Sequence, residues 1–79
     1  MKTKVMRFKD AKVGDIFQWG DLPYNSNYDL YMKVTIHMHD THDVGYVYLA
    51  SSLSCVESGH VFIVKDGDQK ETNIRVIYL

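Results

Sequence analysis

His37-Met38-His39-Asp40-Thr41-His42-Asp43 gathers three imidazoles and two carboxylates into seven residues, the densest group of titratable side chains in the chain. Imidazole nitrogens bind zinc at about 2.0–2.1 Å in a tetrahedral arrangement, and a catalytic zinc keeps one position open for water. His37 and His39 lie two apart, so on a strand they share a face. With Asp40-Thr41 as the tip of a hairpin, His42 stands opposite His39, about 5 Å away between Cβ atoms. His37, His39 and His42 are therefore the candidate metal ligands, with zinc as the candidate ion. The same string also fits a solvated hairpin tip, because ligating imidazoles need outer partners that orient the rings and an exposed tip supplies few. Crowded rings with ordinary pKa values of about 6.5 would in addition repel one another once protonated.

No other stretch offers a reactive set. Cys55 has Glu57 and His60 nearby, yet nucleophilic catalysis needs a thiolate, a base within reach and an oxyanion site, and Ser54-Cys55-Val56 fits a loop or strand edge better. The five glycines are scattered turn formers with no phosphate-loop pattern. The expected class is non-enzymatic.

Aromatic residues are the larger signal. Six tyrosines, three phenylalanines and one tryptophan exceed what so small a core can hide. Phe8, Phe17, Phe62 and Trp19 flank or sit within strand patterns and are expected core members. Tyr31, Tyr46 and Tyr48 are expected on an outward face with Lys33 and Thr35, forming a rigid amphipathic patch. Tyrosine suits such a patch because it offers large contact area at little entropic cost. The alternative is a sheet curled enough to cover both of its faces.

The elements that must position these groups are strands. From Tyr28 to Met38 apolar residues alternate with polar ones: Tyr28, Leu30, Met32, Val34, Ile36 and Met38 share one parity, and Asp29, Tyr31, Lys33, Thr35 and His37 the other. That period of two predicts a half-buried strand with the first set inward. Val44 to Ala50 returns as its hairpin partner, with Val34 expected opposite Val47 and Met32 opposite Leu49. A four-residue loop is an equal candidate for the tip, because Asp-Thr suits the tight primed turns poorly. Further strands are expected at 3–8, 16–19, 60–65 and 73–79, with at most one helical turn between the first two. The two terminal strands should be tied into the sheet, since strand-like chain ends need pairing to be ordered. Gly20-Asp21-Leu22-Pro23-Tyr24-Asn25-Ser26-Asn27 is a loop by its turn-forming content, and it holds Leu22, Pro23 and Tyr24 where solvent would see them. Five to six short strands predict an all-β domain, a small antiparallel barrel or curled sheet spanning residues 1–79.

Seventy-nine residues, 46% apolar and 24% charged, describe one small globular domain. No apolar run is long enough to cross a bilayer and the N-terminal segment does not resemble a signal peptide, so a cytoplasmic protein without a membrane partner is expected. The single cysteine fits a reducing compartment. Net charge is −1, but Lys2, Lys4, Arg7, Lys9 and Lys12 crowd the first twelve residues against Asp10 alone. That basic end, with Trp19 for stacking, is the candidate nucleic-acid surface, opposed by an acidic remainder that would repel a long duplex.

Phe8-Lys9-Asp10-Ala11-Lys12-Val13-Gly14-Asp15-Ile16-Phe17 followed by Tyr31-Met32-Lys33 resembles a pattern found in small bacteriophage-encoded, β-barrel-like proteins: Phe, a short turn, Val-Gly-Asp-x-Phe, then Tyr-x-Lys. It covers the first half of the chain. The histidine-rich tip and Ser51-Ser52-Leu53-Ser54-Cys55 depart from it. The resemblance implies an early phage protein, acting in the host cytoplasm, that binds a host component such as a defence nuclease, a signalling molecule or a transcription factor and blocks it. The residues themselves leave three classes open. The first is a protein binder using Leu22, Pro23, Tyr24, Tyr31, Tyr46 and Tyr48, with an exposed edge strand also able to pair two copies. The second is a nucleic-acid binder, and the third a metal or small-ligand site at the histidine tip.

Overall fold

The computed structural model describes residues 2–38, 41–50, 59, 61–64 and 68–78; at 37, 38, 41–44, 47–50 and 68 the backbone alone is described. The strands are β1 (Lys2–Arg7), β2 (Ile16–Trp19), β3 (Leu30–Met38), β4 (Thr41–Ala50), β5 (Val61–Val64) and β6 (Asn73–Tyr78). A 3-10 turn (Phe8–Asp10) follows β1, and a one-turn helix α1 (Asp68–Glu71) precedes β6. The strands form one antiparallel sheet in the order β1-β6-β2-β3-β4-β5. An all-β curled sheet is thus the observed fold. The first and last strands pair directly, Lys2 opposite Tyr78 and Arg7 opposite Asn73, as the need to tie down strand-like ends predicts. The helical turn at 68–71 is an addition, in a stretch whose Asp-Gly-Asp sequence reads as a turn.

The long strand is present, but its inward side is the reverse of the expected one. Tyr31, Lys33 and Tyr46 do share a face, and that face lies against the core. Tyr46 is 8% exposed and packs in a cluster with Phe8, Phe17, Val64, Ile74 and Val76, while Met6, Trp19, Tyr31 and Phe62 close its margins. Rings carry most of the contact. The Tyr46 centroid lies 4.9 Å from that of Phe62, 5.1 Å from Trp19 and 5.3 Å from Tyr31. Trp19 and Tyr46 stand on strands two apart, about 9–10 Å on a flat sheet, so rings this close require the sheet to curl toward this face. The phenol stays compatible with burial because the Gln69 side chain of α1 donates to its hydroxyl at 3.3 Å.

Lys33 explains how a charged residue joins that face. It is 6% exposed, and its ammonium donates to the Phe8 carbonyl at 2.8 Å, the Ala11 carbonyl at 2.7 Å and, longer, the Lys9 carbonyl at 3.4 Å. It also stands 4.8 Å above the Phe8 ring. The carbonyls of a helical turn point toward its C-terminal end, and a cation there meets both their lone pairs and their partial negative charge. The Lys33 main chain adds two bonds: its N–H donates to the Asp15 carbonyl at 3.0 Å, and its carbonyl accepts from the Gly14 N–H at 2.8 Å. Gly14 has φ of 98°, which a side chain would strain. Burial lowers the Lys33 pKa from its ordinary 10.5, against the opposing pull of Asp15 and Asp10.

The outer face carries Ile16, Met32, Val34 and Ile36, all half-buried, with Val5, Ile63 and Val61 more exposed. Aliphatic residues at the expected inward parity thus lie on the side that the curl turns outward. The hairpin register is also displaced: Met32 faces Val47, Val34 faces Gly45 and His37 faces His42, so the strands run on to Met38 and Thr41 with residues 39 and 40 between them. Gly45 permits this pairing. A Cβ at that position would meet the Phe62 carbonyl oxygen and lie 2.5 Å from Ile36 Cδ1.

Two substitutions test these features by urea denaturation. Lys33→Met, which keeps the volume and removes the donors, is expected to cost about 1–3 kcal/mol by leaving buried carbonyls unmet. Just below pH 10.5 the unfolded chain binds the Lys33 proton more tightly than the folded one, so the stability due to this residue rises with pH across that window. The variant should lose that slope. Gly45→Ala is expected to cost about 1–3 kcal/mol through overpacking between β4 and β5; unchanged stability in either variant would contradict the packing described.

Candidate binding surface

Two polar side chains of the outer face build the loop at 20–28. Gln18, 3% exposed, donates from Nε2 to the carbonyls of Asn25 at 2.8 Å and Tyr28 at 3.2 Å, and its Oε1 accepts from the Asn25 N–H at 3.2 Å. An amide has both donors and an acceptor, so one buried glutamine can satisfy loop backbone in both directions. Arg75, opposite Gln18 in the β2–β6 pair, donates from Nε to the Leu22 carbonyl at 2.5 Å and from Nη2 to the Asp21 carbonyl at 3.0 Å. Its Nη1 donates to Thr3 Oγ1 at 2.8 Å, which fixes the guanidinium plane. At its start, the Gly20 N–H donates to the Asn73 carbonyl at 2.9 Å.

A loop held through its carbonyls turns its side chains outward. Leu22 is 61% exposed, Tyr24 is 37% exposed and Pro23 between them is exposed. The structure therefore places three of the six expected partner-binding residues together on solvent-facing, fixed backbone. The other three diverge. Tyr46 is a core residue, contrary to the expected outward placement, because the curl encloses its face. Tyr31 is half-buried, stacked on Phe17 at 5.8 Å, with its hydroxyl donating to Asp29 Oδ2 at 3.3 Å. Tyr48 pairs with Tyr31 through the backbone, and its side chain lies outside the described set.

The basic end is partly neutralised. Glu71 accepts from Arg7 Nη1 at 2.6 Å and from Lys9 Nζ at 2.9 Å. Lys2, Lys4 and Lys12 are exposed, but the depression bordered by Lys4 and Lys12 also holds Asp10 and Asp15. Trp19 is half-buried, stacked on Phe8 at 5.6 Å and edge-on to Phe17 at 5.1 Å, so packing takes up part of its ring. Of the candidate zinc ligands, His37 and His42 stand opposite each other in the register in place of the expected His39–His42 pair. Their side chains, and the whole of His39 and of Cys55, lie outside the described residues.

A further concavity adjoins the loop. Trp19, Asn27, Tyr28, Asp29 and Tyr31 line a hollow of about 390 Å3 beside the end of the loop. Tyr28 alternates in phase with the strand that follows, so its pattern points to a sheet residue. In the structure β3 begins only at Leu30, with a register shift between Leu30 and Tyr31, and Tyr28 belongs to the loop, 44% exposed. Among the described residues no helix is long and apolar enough to cross a membrane.

The hydrogen bond from Lys9, with Arg7 beside it, holds the Glu71 carboxyl below its ordinary 4.5. This contribution to stability is present above pH 4.5 and is lost as pH falls through the lowered folded value. Glu71→Gln is expected to flatten that acid limb in urea midpoints taken from neutral pH downward, and the difference from the parent should shrink with added salt because the ions are exposed. Compared with protein-family models, with curated proteins and with solved structures, the chain matches none.

Proposed function

We propose that this is a non-enzymatic binding protein that occupies the surface of a protein partner, with Leu22, Pro23 and Tyr24 as its apolar contact. The supporting observation is their exposure on backbone pinned by Gln18 and Arg75. Binding costs side-chain and loop ordering, and a loop already held in place avoids much of that cost. Tyrosine is among the residue types that most often carry the energy of an interface, and Leu22 and Pro23 extend the apolar area beside Tyr24. The phage-type role, blocking or modulating a host protein in the host cytoplasm, rests on the resemblance of Phe8 to Phe17 and Tyr31 to Lys33 to small phage proteins. Nucleic-acid binding is the weaker reading, since Arg7 and Lys9 are engaged by Glu71 and carboxylates lie beside Lys4 and Lys12.

The test is capture of partners from a bacterial lysate by the parent and by a Leu22→Ala, Tyr24→Ala double variant, followed by affinity measurement on the recovered partner. The double variant should melt like the parent, because both side chains are exposed, and should bind about thirtyfold more weakly, near 2 kcal/mol. Binding by the parent should survive raised salt, which would strip a phosphate-bound ligand. Equal recovery of the same protein by both would remove this loop from the interface.

A further inference from the structure

The hollow beside the loop carries a chemistry of its own, distinct from the apolar contact of Leu22, Pro23 and Tyr24. Three of its five lining residues, Trp19, Tyr28 and Tyr31, are aromatic, and a fourth, Asp29, is a carboxylate. No lysine or arginine is among the described residues that line it. Aromatic faces carry negative potential and attract a cation within about 6 Å of the ring centroid, tryptophan most strongly. A carboxylate in the same wall adds a full negative charge. Both features disfavour a phosphate or carboxylate ligand and favour a positive one.

The walls are set before any ligand arrives. Trp19 is wedged between Phe8, Phe17 and Tyr46, with centroids at 5.6, 5.1 and 5.1 Å. Tyr31 stacks on Phe17 at 5.8 Å and meets Tyr46 edge-on at 5.3 Å, and its hydroxyl orients the Asp29 carboxylate at 3.3 Å. The Tyr28 backbone is held at both ends: its N–H donates to the Asn25 carbonyl at 3.0 Å and its carbonyl accepts from Gln18. The side-chain acceptors in its wall are the Asp29 carboxylate, which already takes a hydrogen bond, the Asn27 amide oxygen and the hydroxyl oxygens of Tyr28 and Tyr31. A bare ammonium or guanidinium brings three or five N–H donors that would compete for them. An alkylated ammonium brings charge and apolar surface without donors that need satisfying.

We propose that the concavity between Trp19, Tyr28 and Tyr31, with Asp29 in its wall, is a binding site for an alkylated ammonium group. The group comes either from a free small molecule or from a methylated lysine of a protein. Trp19 is the only tryptophan of the chain, so its fluorescence reports on the site directly. Titration with choline should give a saturable change, and 3,3-dimethylbutanol, its uncharged carbon analogue, should bind at least about tenfold more weakly. Asp29→Asn and Tyr28→Ala should each weaken choline about tenfold without lowering the melting temperature. A peptide carrying trimethyllysine distinguishes the sources: tighter binding than choline assigns the group to a protein side chain, and equal or weaker binding assigns it to a small molecule. The proposal fails if the neutral analogue binds as well as choline, if both variants bind like the parent, if no saturable change is seen, or if adenosine monophosphate binds more tightly than choline.

Discussion

The interior of this sheet is organised around one ammonium group. A lysine on the buried side of a strand must find acceptors or leave the core, and Lys33 finds them in the carbonyls of Phe8 and Ala11. That demand brings the 3-10 turn across the sheet face and sets Phe8, fully buried, under the lysine stem and against Phe17 and Trp19. The aromatic cluster then has a floor and a lid, and the tyrosines of β3 and β4 close its sides. Coulombic gain alone does not account for the arrangement, because removing the cation from water offsets much of it. What the contact supplies is uniqueness: few other placements of the turn would satisfy the same donors.

The outer face is ordered by a parallel device of opposite sense. There the buried amide of Gln18 and the guanidinium of Arg75 reach loop carbonyls, so polar side chains of the sheet hold backbone that has no ladder of its own. Both devices use side chains of β2, β3 and β6 as partners for irregular chain. The loop and the aromatic hollow sit side by side at the end of β2 because Trp19 is its last residue and the loop follows directly.

Much of this fold is legible in the sequence. Alternation over 28–38, the turn chemistry of Gly14-Asp15 and the apolar run 16–19 identify the strands, and the grouping of Tyr31, Lys33 and Tyr46 on one side follows from period two alone. Which side is inside does not follow. Alternation weighs aliphatics against polar residues and scores Tyr and Lys as outward, whereas the curl encloses the face with the larger rings, and the lysine is accepted only because a turn 25 residues earlier supplies carbonyls. Register escapes for a related reason: Gly45, which lets β4 approach β5, has no local signature that separates it from an ordinary turn glycine. The exposed Leu22, Pro23 and Tyr24 are readable because loop composition is local. The hollow is not, since Trp19 and Asp29 meet only through the path of the intervening loop.

The position of β6 has a temporal consequence. Residues 73–78 insert between β1 and β2, which touch no common neighbour before then. During synthesis β1 must wait, without its ladder partner, until β6 has been made, while the β3–β4 hairpin forms on its own from adjacent chain. Assembly therefore starts at the hairpin, and β1 joins only once β6 is available to pair with it. The charges at Lys2, Lys4 and Arg7 lie on the strand that waits longest, where like-charge repulsion between nascent chains discourages premature association.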